Sequence, residues 1–190
     1  MGSVIQRLNS FLFAHATGKK ILLMLVLAIA SFYVMAIVVL PVFQEATGGL
    51  RPFDLNTDIN AAQMYQELPS YTDESRRLYV WFAIADYVYP ITTGGFFALL
   101  WAWMFSKAPN RFFDKLQSCG IFLFPFLFTL IDWSENLGFL FVIFSYPEEY
   151  PVIGDLAGVL KGSKSKFLYS TMLLTLIFIP VAIRYRGRRA

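Results

Sequence analysis

Apolar residues gather into four long runs, at about 21–43, 78–105, 116–146 and 167–183, separated by polar and charged stretches. Each is near or above the roughly 20 residues that cross a hydrocarbon core of about 30 Å, so the pattern predicts four membrane spans. The second and third are longer than the core needs and are expected to tilt, kink or project beyond it. Barrel strands would be about half as long and would alternate polar with apolar, whereas these runs are continuously apolar. The expected fold class is all-α: a polytopic four-transmembrane-helix bundle forming a single membrane domain over residues 1–190.

Composition agrees with this reading, at 57% hydrophobic and 18% aromatic residues. Charge adds an orientation. Arg7, Lys19 and Lys20 precede the first run, Lys107, Arg111 and Lys115 lie between the second and third, and Arg184, Arg186, Arg188 and Arg189 follow the fourth. The opposite loops hold Glu45, Asp54, Asp58, Glu67, Asp73, Glu74, Glu148, Glu149 and Asp155. The positive-inside rule then places both termini in the cytoplasm. The net charge of +3 belongs to groups that flank spans, so it is no sign of a nucleic-acid partner. The first run is too long for a signal-peptide core and is read as an uncleaved anchor that ends at Pro41. The single Cys119 excludes an internal disulfide.

Three of the stretches outside the spans have a pattern of their own. Residues 1–20 place Val4, Ile5, Leu8, Phe11 and Leu12 at the spacing of a short interfacial helix. Residues 44–76 form an outer loop, with a short helix over Ala61–Glu67 capped by Asp58 or Asn60 and stopped by Pro69. Too small to fold alone, this segment is expected to lie across the bundle as a lid or a brace. Thr72, or alternatively Ser75, starts the second span. The loop from Pro147 to about Lys166 is expected to be broken by Pro147 and Pro151, with one helical turn at Leu156–Leu160.

Chemistry enters through acids inside the spans. Asp86 lies in the second run, and Asp132 and Glu135 lie in the third, with no Lys, Arg or His beside them. An ionisable group at the centre of a bilayer costs about 2.5–3.5 kcal/mol even on the mildest scale, which makes such residues functional candidates. Asp132, Glu135 and Asn136 share one helical face through i, i+3, i+4 spacing, with Phe128 and Phe139 continuing it. In the second run Pro90 lacks an amide hydrogen, so the carbonyl of Asp86 loses its ordinary partner in the same turn as the carboxyl. With about 1.5 Å of rise per residue, Asp86 sits roughly 13 Å below Arg77 and Glu135 roughly 16 Å below Tyr146. If the two spans face each other, one acidic pocket opens toward the non-cytoplasmic side.

Three ways of neutralising that pocket follow, in this order of preference. A proton is shared between crowded carboxyls; or Lys164, Lys166, Arg76 or Arg77 reaches inward from the rim; or, last, a hard metal ion takes the all-oxygen donors. No metal site and no cofactor are assigned. The competing account is that polar side chains only tie helices together, at about 0.6 kcal/mol each on average. That account suits Asn136 and Ser134 better than it suits three carboxyls.

The pattern resembles an uncharacterised family of small four-span membrane proteins best known from bacteria, a resemblance that implies a bacterial inner membrane as the expected location. The resemblance covers about residues 50–170. It rests on Arg77-Leu78-Tyr79, on Asp86-x-x-x-Pro90, on Asp132-x-x-Glu135-Asn136 and on a Lys opening the fourth span. It departs from the family at Gly158–Lys166, where the Ser and Thr before that Lys are not cleanly present, so Lys164 and Lys166 remain alternatives. The family implies the choice of residues and no activity. More distantly, the acids look like the intramembrane pockets of the sterol-isomerase and sigma-2-receptor group, an analogy of fold and site alone.

The expected function is binding of a lipid-like or amphiphilic small molecule by Asp86, Tyr89, Thr93, Asp132, Glu135, Asn136, Lys164 and Lys166. Phe128, Phe139, Tyr89 and Trp133 would supply the apolar wall. The alternatives are an intramembrane enzyme using Asp86 and Glu135 as acid and base, or an accessory subunit of a membrane complex. Membrane lipid is the expected partner, with a second copy or another membrane protein as further candidates.

Overall fold

The computed structural model describes residues 2–57 and 59–186, and among these the chain is helical with no strand. Four helical stretches are long and apolar enough to cross a membrane: Gly18–Thr47, Asp73–Lys107, Ile121–Ser145 and Pro151–Tyr185. Asp58 and the C-terminal Arg188 and Arg189 lie outside the described residues.

Helix α1 (Gly2–His15) precedes the first span. The span itself is α2 (Gly18–Tyr33), a wide π turn (Val34–Val39) and α3 (Leu40–Thr47). It does not end at Pro41. The Leu40 amide bonds to the Met35 carbonyl five residues back, and this widened turn lets Pro41 enter as a first-turn residue of α3, where its missing amide costs nothing. Termination comes at Gly48, whose φ of 70° is the left-handed conformation that glycine adopts without strain.

Helix α4 (Ala61–Glu67) is opened by Asn60, whose side chain accepts from the Gln63 amide while Gln63 reaches back to the Asn60 amide. Helix α5 (Asp73–Lys107) is capped by Thr72, which accepts from the Ser75 amide at 3.2 Å. The α5 helix runs through Pro90 without a break. Helix α6 (Arg111–Ser118) is split from the third span by left-handed Gly120, so that span starts later than its apolar run. It consists of the turn Ile121–Leu123 and helix α7 (Pro125–Ser145).

The fourth span departs most from expectation. Helix α8 runs unbroken from Pro151 to Tyr185, where a loop up to residue 166 was expected. Pro151 occupies the first turn, the one place where proline favours a helix. Two glycines seat this helix by close packing. A Cβ on Gly158 would stand 2.4 Å from the Ile59 carbonyl oxygen, and one on Gly138 of α7 would stand 2.9 Å from the Ala157 Cβ.

Helix α5 is central, packed by α2 on one side and α7 on the other, with α8 against α7. At the α1 end, Leu12, Trp101, Phe105, Phe113, Phe122 and Phe178 form one core. At the opposite end, segment 48–72 folds back over the bundle. Phe53, Met64 and Leu68 are fully buried there with Phe43, Tyr79 and Phe139. Burial of that kind makes the segment a brace, with each large side chain worth about 1.5–3 kcal/mol of packing. The Asp155 carboxyl of α8 also accepts the Ala61 amide at 2.9 Å, tying α4 down.

Gly158→Ala is expected to lower stability by about 1–3 kcal/mol, because backbone stands where the methyl would go. Gly162→Ala meets nothing within 4 Å and is expected to stabilise the helix by about 0.5–1 kcal/mol. Thermal unfolding of the two variants in one detergent checks the contrast.

Candidate functional site

Asp86 on α5 and Asp132, Glu135 and Asn136 on α7 face one another at the α5–α7 contact. All four are buried, with Glu135 and Asn136 at 0% exposure. The Asn136 amide nitrogen lies between the aspartates, donating to Asp86 Oδ2 at 2.7 Å and to Asp132 Oδ2 at 3.2 Å. Two further bonds fix the register of the helices around Pro90. Trp133 Nε1 donates to the Tyr87 carbonyl at 3.0 Å, and Thr129 Oγ1 donates to the Pro90 carbonyl at 2.8 Å.

The cation comes from α8. Lys164 Nζ lies 2.9 Å from Asp132 Oδ1 and 3.0 Å from Glu135 Oε2. It also pairs with the carboxyl of Asp54, on the turn Phe53–Leu55. Lys161, one helical turn earlier, donates to the Asp54 backbone carbonyl. The site therefore draws on four pieces of chain: the brace, α5, α7 and α8. Burial pushes the Asp54 carboxyl upward, but the Lys164 charge foremost, with Glu135 and Lys161, outweighs it and holds Asp54 below its ordinary range.

The rim reading is thus realised for Lys164 and not for the other three. Lys166 is exposed and away from the acids, because two residues along a helix point to a different face. Arg76 donates to the Ile143 carbonyl at 2.6 Å, closing the end of α7, and Arg77 is exposed. Of the proposed wall, Phe139 is absorbed in the brace core, stacked edge-on with Phe53 at 5.8 Å. Trp133 is a tie between helices. Tyr89 meets Phe128 edge-on at 6.2 Å. Sequence reading missed Asp54, Lys161 and Tyr79. A loop aspartate carries no mark of burial, and Lys161 signals itself only once α8 is known to extend that far, since it then shares a face with Lys164.

Two openings reach this region. A polar vestibule of about 540 Å³ is lined by Asp54, Asn56, Thr57, Lys161, Lys164 and Ser165, among others. An apolar cleft of about 370 Å³ lies between α2, α5 and α8, walled by Leu25, Phe32, Phe96 and Met172 and reaching Tyr89 and Thr93. Asp86, Tyr89 and Thr93 follow one another at i, i+3 and i+7 on α5, so the cleft ends on the helix face that carries the acid.

No family model, curated protein or solved structure matches this chain.

Lys164→Met is expected to destabilise the fold by about 3–5 kcal/mol, since it strands buried carboxylates without their cation; chemical or thermal unfolding measures it. Asp54 gives a pH dependence of determinate sign. Its folded value is depressed, so its contribution is complete above the ordinary carboxylate value of about 4 and is lost as pH falls below it. Proteolysis of segment 48–60 is expected to accelerate on acidification, and Asp54→Asn is expected to be susceptible already at neutral pH.

Proposed function

We propose that the chain is an integral membrane protein that binds a lipid-like or amphiphilic small molecule. The single observation that carries this reading is that the apolar cleft reaches Tyr89 and Thr93, which share one face of α5 with Asp86. A hydrocarbon chain lies in the cleft, and its polar head meets the Asp86–Asn136–Asp132 network. Few-point polar recognition within an apolar wall is the usual form of a small-molecule site. Large exposed side chains on α2 and α8, among them Leu22, Ile29, Phe32, Leu173 and Leu176, offer a surface that lipid covers, so the cleft opens toward the solvent of its ligand. The Lys and Arg distribution favours cytoplasmic termini and an outward-facing vestibule, and the family resemblance favours a bacterial inner membrane. The four-span resemblance stated above chooses the same acids.

The test is mass spectrometry of small molecules that co-purify with the full chain. A bound amphiphile is expected in the wild type. Asp86→Asn and Glu135→Gln are expected to lose it by roughly tenfold or more while remaining folded. Thr93→Phe, which fills the inner end of the cleft, is expected to lose it as well. A ligand retained in all three variants removes this reading, and a ligand recovered chemically changed assigns an enzyme in its place.

A further inference from the structure

Charge in the cluster does not balance. Asp54, Asp86, Asp132 and Glu135 stand against Lys161 and Lys164, which leaves an excess of two negative charges when all are ionised. In a low-dielectric interior such an excess is costly. Lys164 engages a single oxygen on each of Asp54, Asp132 and Glu135 and does not pair with Asp86. Among the described residues, the hydrogen bond to the Asp86 carboxyl comes from Asn136 alone.

Geometry supplies a place for the missing charge. One carboxylate oxygen from each of Asp54, Asp86 and Asp132 lies within 4.8 Å of the others. Oxygens that share one hard cation at about 2.0–2.6 Å lie within that span of each other. A second feature is independent of the acids. The Tyr79 hydroxyl is fully buried and has no hydrogen-bond partner. It sits on α5 two turns from Asp86, on the same face, within electrostatic reach of Asp54, Glu135 and Asp86. The ring cannot turn away, because Phe43, Phe53, Tyr71 and Phe82 enclose it. Asn136 Oδ1 is likewise buried without a partner. Both are neutral oxygen donors waiting beside an anionic set.

We propose that a divalent cation of the Mg²⁺, Ca²⁺ or Mn²⁺ class binds among Asp54, Asp86 and Asp132, the Asn136 amide turning over so that Oδ1 in place of Nδ2 faces it, with the Tyr79 hydroxyl as a further oxygen on that side. The ion cancels the two excess charges, and its all-oxygen surroundings exclude the thiolate and imidazole sites that zinc and copper prefer. Neither His15 on α1 nor the exposed Cys119 belongs to the cluster. The vestibule, which has Asp54 and Lys164 in its wall, is the route from water. Lys164 then has a defined part: it keeps the free carboxyls apart from one another while leaving each an oxygen for the metal.

The full chain, purified in detergent and stripped with a chelator, is titrated with Mn²⁺, and the free ion is counted by its EPR signal. About one ion per chain is expected, displaced by Mg²⁺ or Ca²⁺. Asp86→Asn is expected to weaken it by roughly tenfold or more and Tyr79→Phe by a few-fold, with Lys166→Ala unchanged. Asp54→Asn lies outside the spans and reports the same loss if Asp86→Asn fails to elute as a folded species. Absence of a stoichiometric ion in the wild type overturns the proposal and leaves protons to carry the charge. An ion held equally well by the Asp86 and Asp54 variants overturns it too. The titration contains no amphiphile beyond detergent, and its failure leaves the preceding function standing.

Discussion

The ion cluster around Lys164 is the constraint on which the rest of this bundle depends. One ammonium group joins Asp54 of the brace to Asp132 and Glu135 of α7. Removing a charge from water costs several kcal/mol, and the cost is recovered only when geometry is good on every side. That requirement fixes how far α8 extends, how deep its first turns lie and where segment 48–72 sits. It explains why a helix that needs about 20 residues to cross a bilayer starts at Pro151 and places Lys161 and Lys164 well before its most apolar part.

Close contact of α8 with α7 and with the brace follows from small residues. Gly138 meets Ala157, and Gly158 meets the Ile59 carbonyl. Without side chains there, the backbones approach closely enough for Lys164 to reach across. Pro90 works in the same direction on the other side. Its neighbourhood is bound to α7 by Trp133 and Thr129, which sets Asp86 opposite Asn136. The acids are therefore oriented by backbone contacts on both flanks, and not by their own attraction, since like charges repel.

The four long apolar helices were legible in the sequence because length and continuous apolarity can be read directly along the chain. The sharing of one face by Asp132, Glu135 and Asn136 was legible too, since helical period alone decides it. Other features were not. Pro147 and Pro151 read as helix breakers, and only the placement of Pro151 in the first turn of α8, with Gly154 and Gly158 packed on Ala61 and Ile59, shows that the helix runs on. Lys164 and Lys166 were equivalent on paper, and the phase of α8 separates them. Asp54 had no local signal of any kind, because its place follows from the adjacent Phe53, which is seated on rings distant in sequence, Tyr79 and Phe139 among them.

Chain order gives the Lys164 contact one more consequence. Asp86, Asp132 and Glu135 all precede Lys164 in the sequence, so the ribosome completes the second and third helices before their counter-charge has been made. The half-built protein thus holds three acids with no lysine to meet them, and the arrival of the final helix is the step that closes the circuit. A nascent chain halted before residue 164 has the ties between α5 and α7 but not the ammonium group that neutralises what they bring together.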